Sequence, residues 1–276
     1  MSDRSILISG CSSGIGLDAA HGLRKRGWRV FASCRRIEDC ESLRANGFEA
    51  PLIDHTKPDT IDQAVSEVLE ATGGRLDALF NNGAHAIPGA VEDLPRDALR
   101  AIFDANLFGP HQLTRAVIPA MRQQGHGRII NNSSVLGFSA LRWRGAYNAT
   151  KFAMEGLTDT LRLEMRDTPI HVILIEPGPI TTKIRENSIP HFEKWVDWKG
   201  SARAHQYEET LLKRLYGSNG PDTFELPPEA VTKKLIHALE APNPRPRYLV
   251  TTPTYMMAAF KRLLPTRAVD AIAGRL

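Results

Sequence analysis

The chain predicts an α/β fold, a single doubly wound parallel sheet with helices on both faces. Apolar runs of strand length alternate with amphipathic stretches of helix length from residue 5 to about residue 182. Most of the strands read as unbroken apolar segments, the pattern of parallel strands buried on both sides. Right-handed crossovers then wind helices onto both faces of one sheet. With 276 residues, 42% hydrophobic and 24% charged, the chain supports one large core and resembles neither a disordered tract nor a membrane-embedded body.

The first strand spans residues 5–9 and leads through a glycine-rich turn into a helix over 17–26, stopped by Gly27. Residues 28–32 form strand two, 37–46 a helix and 48–53 strand three. Pro58 opens a helix reaching residue 72. Strand four covers 77–81. One long helix follows over roughly 95–123, with Pro119 bending or ending its last turns. Strand five covers 128–132, a long helix 147–167 and strand six 170–175. The rhythm then breaks over 183–226, where Phe192, Trp195, Trp198, Tyr207, Tyr216 and Phe224 scatter among charges. That stretch is too long for an idle connection and reads as a substrate lid. A helix over 227–239 and a strand over 247–251 resume the pattern. Residues 1–254 therefore form one catalytic domain and 255–276 an amphipathic tail.

Thirty-five basic against 31 acidic side chains leave a net charge of +4, well short of a nucleic-acid-binding composition. Three cysteines (Cys11, Cys34, Cys40) lack metal-ligand spacing and suit reduced thiols in a cytoplasmic protein. The first residues carry no export-signal pattern, and no apolar run approaches the roughly 18 residues of a spanning helix.

The turn after strand one reads Ser9-Gly10-Cys11-Ser12-Ser13-Gly14-Ile15-Gly16. Gly10 permits a tight turn, Gly14 lets backbone amides approach a pyrophosphate, and Gly16 removes a side chain where helix meets strand. Its place between strand and helix makes it a dinucleotide site. Strand two ends Ser33-Cys34-Arg35-Arg36, without the acid that would bind a ribose hydroxyl. Arg35 is free to pair with a 2′-phosphate, which favours NADP(H) over NAD(H). Asp54, after strand three, reads equally as an acceptor from adenine and as a plain turn carboxylate.

Tyr147 and Lys151 stand four apart at a helix start, hence on one face. A phenol near pKa 10 shuttles protons poorly at neutral pH unless cations stabilise its phenolate. Ser133-Ser134 closes strand five at the carboxyl edge of the sheet, where a hydroxyl could bond a substrate carbonyl. Gly10-x-x-x-Gly14-x-Gly16, Asn81-Asn82-Gly83-Ala84, Asn106, Ser134, Tyr147-x-x-x-Lys151 and Pro177-Gly178 together resemble the short-chain dehydrogenase/reductase family and its Rossmann fold. The Cys34-Arg35 step and Glu176-Pro177-Gly178-Pro179 are similar to bacterial NADP-dependent aldehyde/ketone reductases and to hydroxysteroid and retinol dehydrogenases.

The resemblance implies that Tyr147 is the general acid/base, and that Ser134, thirteen residues before it, polarises the carbonyl. Lys151 would hold the nicotinamide ribose and lower the tyrosine pKa. Asn106 would kink its helix and anchor a water on the proton path. Ser12, Ser13, Ile15 and Gly83 would line the cofactor, Asn81 would lie near the adenosine ribose, and Pro177, Gly178 and Ile180 would contact the nicotinamide. Thr182 would bond the carboxamide or the phosphates. The family usually reads Asn-Asn-Ala-Gly, so the Gly83-Ala84 order here leaves the placement of His85 open.

Residues 85–91, 136–143 and the 183–226 insertion would line a pocket for a lipophilic aldehyde, ketone or alcohol. His85 and His111 read as isolated histidines rather than metal ligands. The tail spaces Met256, Met257, Phe260, Leu263, Leu264, Val269 and Ile272 among Lys261, Arg262, Arg267 and Arg275. It suits peripheral membrane contact, its own domain or a sister subunit. The resemblance also implies a homodimer or homotetramer. The competing function is a non-catalytic dinucleotide sensor or scaffold acting through that tail.

Overall fold

Residues 4–217 and 220–274 are described by the computed structural model. Six strands form one sheet: β1 (Ser5–Ile8), β2 (Arg29–Ala32), β3 (Ala78–Asn81), β4 (Gly127–Asn132), β5 (Ile170–Pro177) and β6 (Arg247–Val250). All neighbours are parallel, in the order β2-β1-β3-β4-β5-β6. The order reverses between β1 and β3, which opens a crevice at the carboxyl ends of those strands.

Alternate side chains of each strand feed opposite faces, so every strand must be apolar throughout. Ile6, Ile8, Phe80, Ile130 and Ile173 pack on one face with helices α1 (Gly14–Arg24), α2 (Ile37–Ala45) and α10 (Glu229–Glu240). Leu7, Leu79, Ile129 and Val172 pack on the other with α3 (Pro58–Ala71) and α5 (Gly109–Gln124), where α6 (Gly145–Glu164) also packs.

Three expectations are corrected. Residues 48–53 run beside β2 but make only two bridges, Phe31 to Glu49 and Cys34 to Leu52. Ala32 N donates to Glu49 O at 2.7 Å and Ile53 N to Cys34 O at 2.9 Å. Between them Pro51 has no N–H to donate, so the ladder breaks. The long helix over 95–123 is α4 (Arg96–Phe103), a π turn (Asp104–Phe108) and α5. Its irregularity sits at Asn106 rather than at Pro119, and Gly125 ends α5 with φ +78.

Much of the 183–226 stretch is helical rather than irregular: α7 (Ile184–Trp195), α8 (Ala204–Gln206), a π turn (Tyr207–Leu211) and α9 (Leu212–Tyr216). Phe192, Tyr207, Leu211 and Leu215 pack with Ala90 and Val196, with Trp143, Trp195 and Trp198 against them. The Tyr207 hydroxyl accepts from Ala90 N at 2.7 Å and donates to Asp93 Oδ2 at 2.7 Å. These helical pieces are short, so periodicity alone does not reveal them. Tyr216 and Phe224 stay exposed.

The tail holds α11 (Thr252–Leu263) and α12 (Thr266–Ala273), divided at Pro265. Met257 and Val269 turn inward while Tyr255, Met256 and Leu263 are exposed. Arg275 lies outside the described residues. No helix among the described residues is long and apolar enough to cross a membrane. The three cysteines are free and buried.

Arg247, at the start of β6, gathers three carboxylates. Its guanidinium donates to Glu155 and Glu176, and to Asp159 Oδ2 at 2.6 Å. Burial and the neighbouring Glu155 carboxylate push Glu176 up to about 7, against the pull of Arg247. Arg247→Met would strand two buried acids, and urea denaturation at pH 8 should show a loss of about 3–5 kcal/mol. Glu176 binds its proton more tightly folded than unfolded, so falling pH favours the native state over the window from about 7 down to the ordinary 4.5. The deficit should therefore shrink across that window; a deficit below about 1 kcal/mol at pH 8 would contradict the anchoring role.

Candidate active site

The first glycine turn is built on contacts that exclude a Cβ. Gly10 has φ +75, and a Cβ there would meet Gly83 Cα at 2.6 Å. A Cβ on Gly16 would lie 2.2 Å from the Gly10 carbonyl oxygen. Gly14 faces the Thr182 methyl, so the first turn and the loop after β5 close on each other. Ser13 caps α1 without a side-chain hydrogen bond. The amides of the first helical turn, with Ile15 among them, thus meet no capping side chain, as an anion-binding helix start requires. Ser12 is exposed at the rim. These residues fit a dinucleotide pyrophosphate. Arg36 is held by Asp39 through bonds of 2.9 and 3.0 Å, whereas exposed Arg35 has no ion pair among the described residues.

Several sequence assignments change in detail. The Asn81 amide donates to Thr114 Oγ1 at 2.9 Å and Asn131 Oδ1 at 2.8 Å. Asp54 Oδ1 accepts from Thr56 N at 3.0 Å and Thr56 Oγ1 at 2.7 Å, the bond set of a turn carboxylate. Gly178 gives its N–H to Val250 O and is held close by Thr251 and Thr254. Ile180 bridges to Leu226, and Thr182 accepts weakly from Ile184 N.

On the catalytic side, Ser134 Oγ accepts from Leu136 N at 3.1 Å and donates to Pro177 O at 3.4 Å, and it stands near enough to the Tyr147 phenol to favour its ionised form. Ser133 Oγ is buried without a partner, which separates the two serines. Lys151 is 2% exposed, donates to Asn132 O at 2.7 Å and lies 5.5 Å from the Tyr147 ring centroid. Asn106 clamps the backbone of His85, donating to its O at 2.8 Å and accepting from its N at 3.0 Å. That clamp settles the placement of His85, whose ring stacks on His191 at 3.9 Å instead of standing isolated.

Residues 4–192 match the family described as short chain dehydrogenase. The chain is 40% identical over 270 residues to the uncharacterized oxidoreductase YbbO of Escherichia coli, covering 98% of this chain and 93% of that one. It is 30% identical to the NADPH-dependent 3-dehydrocapnine reductase of Ornithobacterium rhinotracheale, covering 98% and 95%. A short-chain dehydrogenase structure from Streptomyces avermitilis aligns with TM-score 0.78 at 28% identity, covering 100% and 95%.

The chain is a short-chain dehydrogenase. As a member it is an oxidoreductase acting on CH–OH donors with NAD(P). Asn132, which motif reading passed over, and Asn82, quoted in a motif without a role of its own, join the two halves of the candidate site. Asn132 donates to Asn82 Oδ1 at 2.9 Å, and Asn82 donates to Ser9 O at 3.0 Å and Gly10 O at 3.1 Å. With Lys151 on the Asn132 carbonyl, one hydrogen-bond chain runs from glycine turn to catalytic helix. The signal was the Asn-Asn pair repeated at two strand ends.

Burial moves the two central groups toward neutrality. It drives the Tyr147 phenol up to about 12, opposed by the Ser134 hydrogen bond and the Arg144 charge. In the free protein burial outweighs both, so the phenol stays protonated at neutral pH. Burial brings Lys151 down to about 8, opposed by Glu155. The folded chain thus binds this proton more weakly than the unfolded chain. The penalty is whole below pH 8 and fades as pH rises from 8 toward the ordinary 10.5. Lys151→Met should therefore gain about 1–2 kcal/mol at pH 7, after losing the Asn132 bond, and less at pH 9.5. Denaturant melts at both pH values check it; a destabilised variant at pH 7 would refute the buried-charge account.

Proposed function

We propose that the enzyme interconverts a carbonyl and an alcohol on a lipophilic substrate, with NADP(H) as partner. The observation that supports this most is the grouping of Ser134 beside the Tyr147 phenol with Lys151 behind its ring, 5.5 Å from the centroid. A bound nicotinamide dinucleotide supplies the hydride. Ser134 orients the carbonyl oxygen, and Tyr147 gives that oxygen a proton, or takes one in the reverse direction. Lys151, held by Asn132, places a positive charge behind the phenol and so favours its proton release. The π turn at Asn106 holds His85 at the edge of the pocket.

The aromatic lid supports an apolar substrate, since Trp195 packs with Tyr147, Ile87 and Leu94 beside the site. Arg35 supports NADP(H): strand two ends without a carboxylate, and the guanidinium stands within electrostatic reach of His85 and His191 across the crevice. Exposed Phe108 at the end of the π turn, with Phe152, Leu157 and Leu163 on α6, supports a homo-oligomer. The reduced, buried thiols support a cytoplasmic setting. Peripheral membrane contact through the tail would use exposed Tyr255, Met256 and Leu263, and no nucleic-acid partner is proposed.

Tyr147→Phe removes only the transferable proton. With NADPH and a panel of lipophilic aldehydes and ketones, kcat should fall by about 10²–10⁴-fold while NADPH still quenches protein fluorescence at wild-type concentrations. Turnover near the wild-type rate would overturn the mechanism. Arg35→Ala should raise the Kd for NADPH about tenfold or more and barely change that for NADH. Equal losses for the two cofactors would remove Arg35 from the phosphate site.

A further inference from the structure

Arg144 is the residue that precedes α6, three before Tyr147, and its charge acts on the phenol. Its guanidinium makes no hydrogen bond or ion pair among the described residues. The side chain is only partly exposed, and desolvation holds it down at about 10, far below a normal arginine. An enclosed cation of this kind calls for an anion.

The protein does not supply one. The carboxylate facing Arg144 is Asp222, and two other arginines already hold it. Arg214 Nη2 lies 2.9 and 2.8 Å from its two oxygens, and Arg185 Nη2 lies 3.3 and 3.2 Å from them. Two guanidiniums thus hold the carboxylate that acts on Arg144, and Arg144, whose charge both oppose, is left over beside the phenol.

The position is also held rigidly. Trp143 adopts φ +64, a conformation that a bulky residue keeps only when its surroundings force it. Its carbonyl accepts from Gly89 N at 3.0 Å, its ring packs on Tyr207 at 4.6 Å, and Arg144 itself bridges to Gly89. This strained junction fixes where α6 begins and where Arg144 projects.

We propose that Arg144, flanked by Arg185 and Arg214, is an oxyanion subsite on the substrate side of Tyr147. The substrates are then carbonyl compounds whose apolar body carries a carboxylate-class anion. A guanidinium fork matches such an oxyanion through paired hydrogen bonds. The aromatic wall of Trp143, Trp195 and Tyr207 takes the apolar part. The proposal rests on the reading that the reacting carbonyl lies at Ser134 and Tyr147, and it adds what the far end of the molecule carries.

The test compares 4-formylbenzoate with methyl 4-formylbenzoate, a pair that differs in the anion. Calorimetry on the NADP+-loaded enzyme reads binding, and NADPH oxidation reads turnover separately. The acid should bind about tenfold tighter than the ester or better, with added salt weakening the acid alone. Arg144→Gln should bring the acid-to-ester ratio close to one, and Arg144→Lys should keep most of it; thermal melting with NADP+ verifies that both fold. Should Arg144→Gln not fold, Asp222→Asn reads the cluster from its other side, and the acid preference should rise as a negative charge is removed beside the three arginines. Equal binding of acid and ester by the wild type, a ratio untouched by Arg144→Gln, or a preference unmoved by Asp222→Asn would each overturn the subsite. Acid-selective binding without reduction of either probe supports the subsite and counts against the carbonyl-reductase reading instead.

Discussion

A buried ammonium with no carboxylate bonded to it governs this site. Lys151 is enclosed, bonded to the Asn132 carbonyl and stacked behind the Tyr147 ring. The same burial that lowers the lysine raises the phenol, so each group leans toward its neutral form. A phenol near 12 is a reluctant acid at neutral pH. A positively charged nicotinamide bound beside the phenol would favour the phenolate and so bring its proton within reach. Stability is given up at the place where chemistry needs poised protons.

That arrangement depends on backbone closeness elsewhere. The Gly10–Gly83 contact and the Gly16–Gly10 contact leave no room for side chains, and Asn82 threads between them to reach Asn132. The glycine turn and Lys151 are thereby parts of one hydrogen-bonded assembly. The Gly83-Ala84 order fits this picture, because position 83 abuts both Gly10 and the His55 ring.

Periodicity was enough to read the sheet, because strands covered on both faces must be apolar at every position and few other structures share that pattern. It failed over 48–53, where a single missing N–H at Pro51 interrupts an otherwise strand-like run. It failed again over the lid, whose short helices take their order from packing around Tyr207 and not from their own pattern. Among site residues, the glycines were legible because steric exclusion leaves only one residue type. The hydrogen bonds of the Asn81 amide and the stacking of His85 on His191 depend on contacts far apart in the chain. Arg144 was legible in principle by its three-residue offset from Tyr147. Its missing partner became visible only once Asp222 was seen between Arg185 and Arg214.

The most direct test of the central claim is the ultraviolet absorbance of phenolate, taken as wild type minus Tyr147→Phe, with and without NADP+ between about pH 8 and 10. The free protein should show no Tyr147 phenolate in that range, and saturating NADP+ should make it appear, a fall of about 1–3 units. A difference spectrum that NADP+ leaves unchanged would contradict the account.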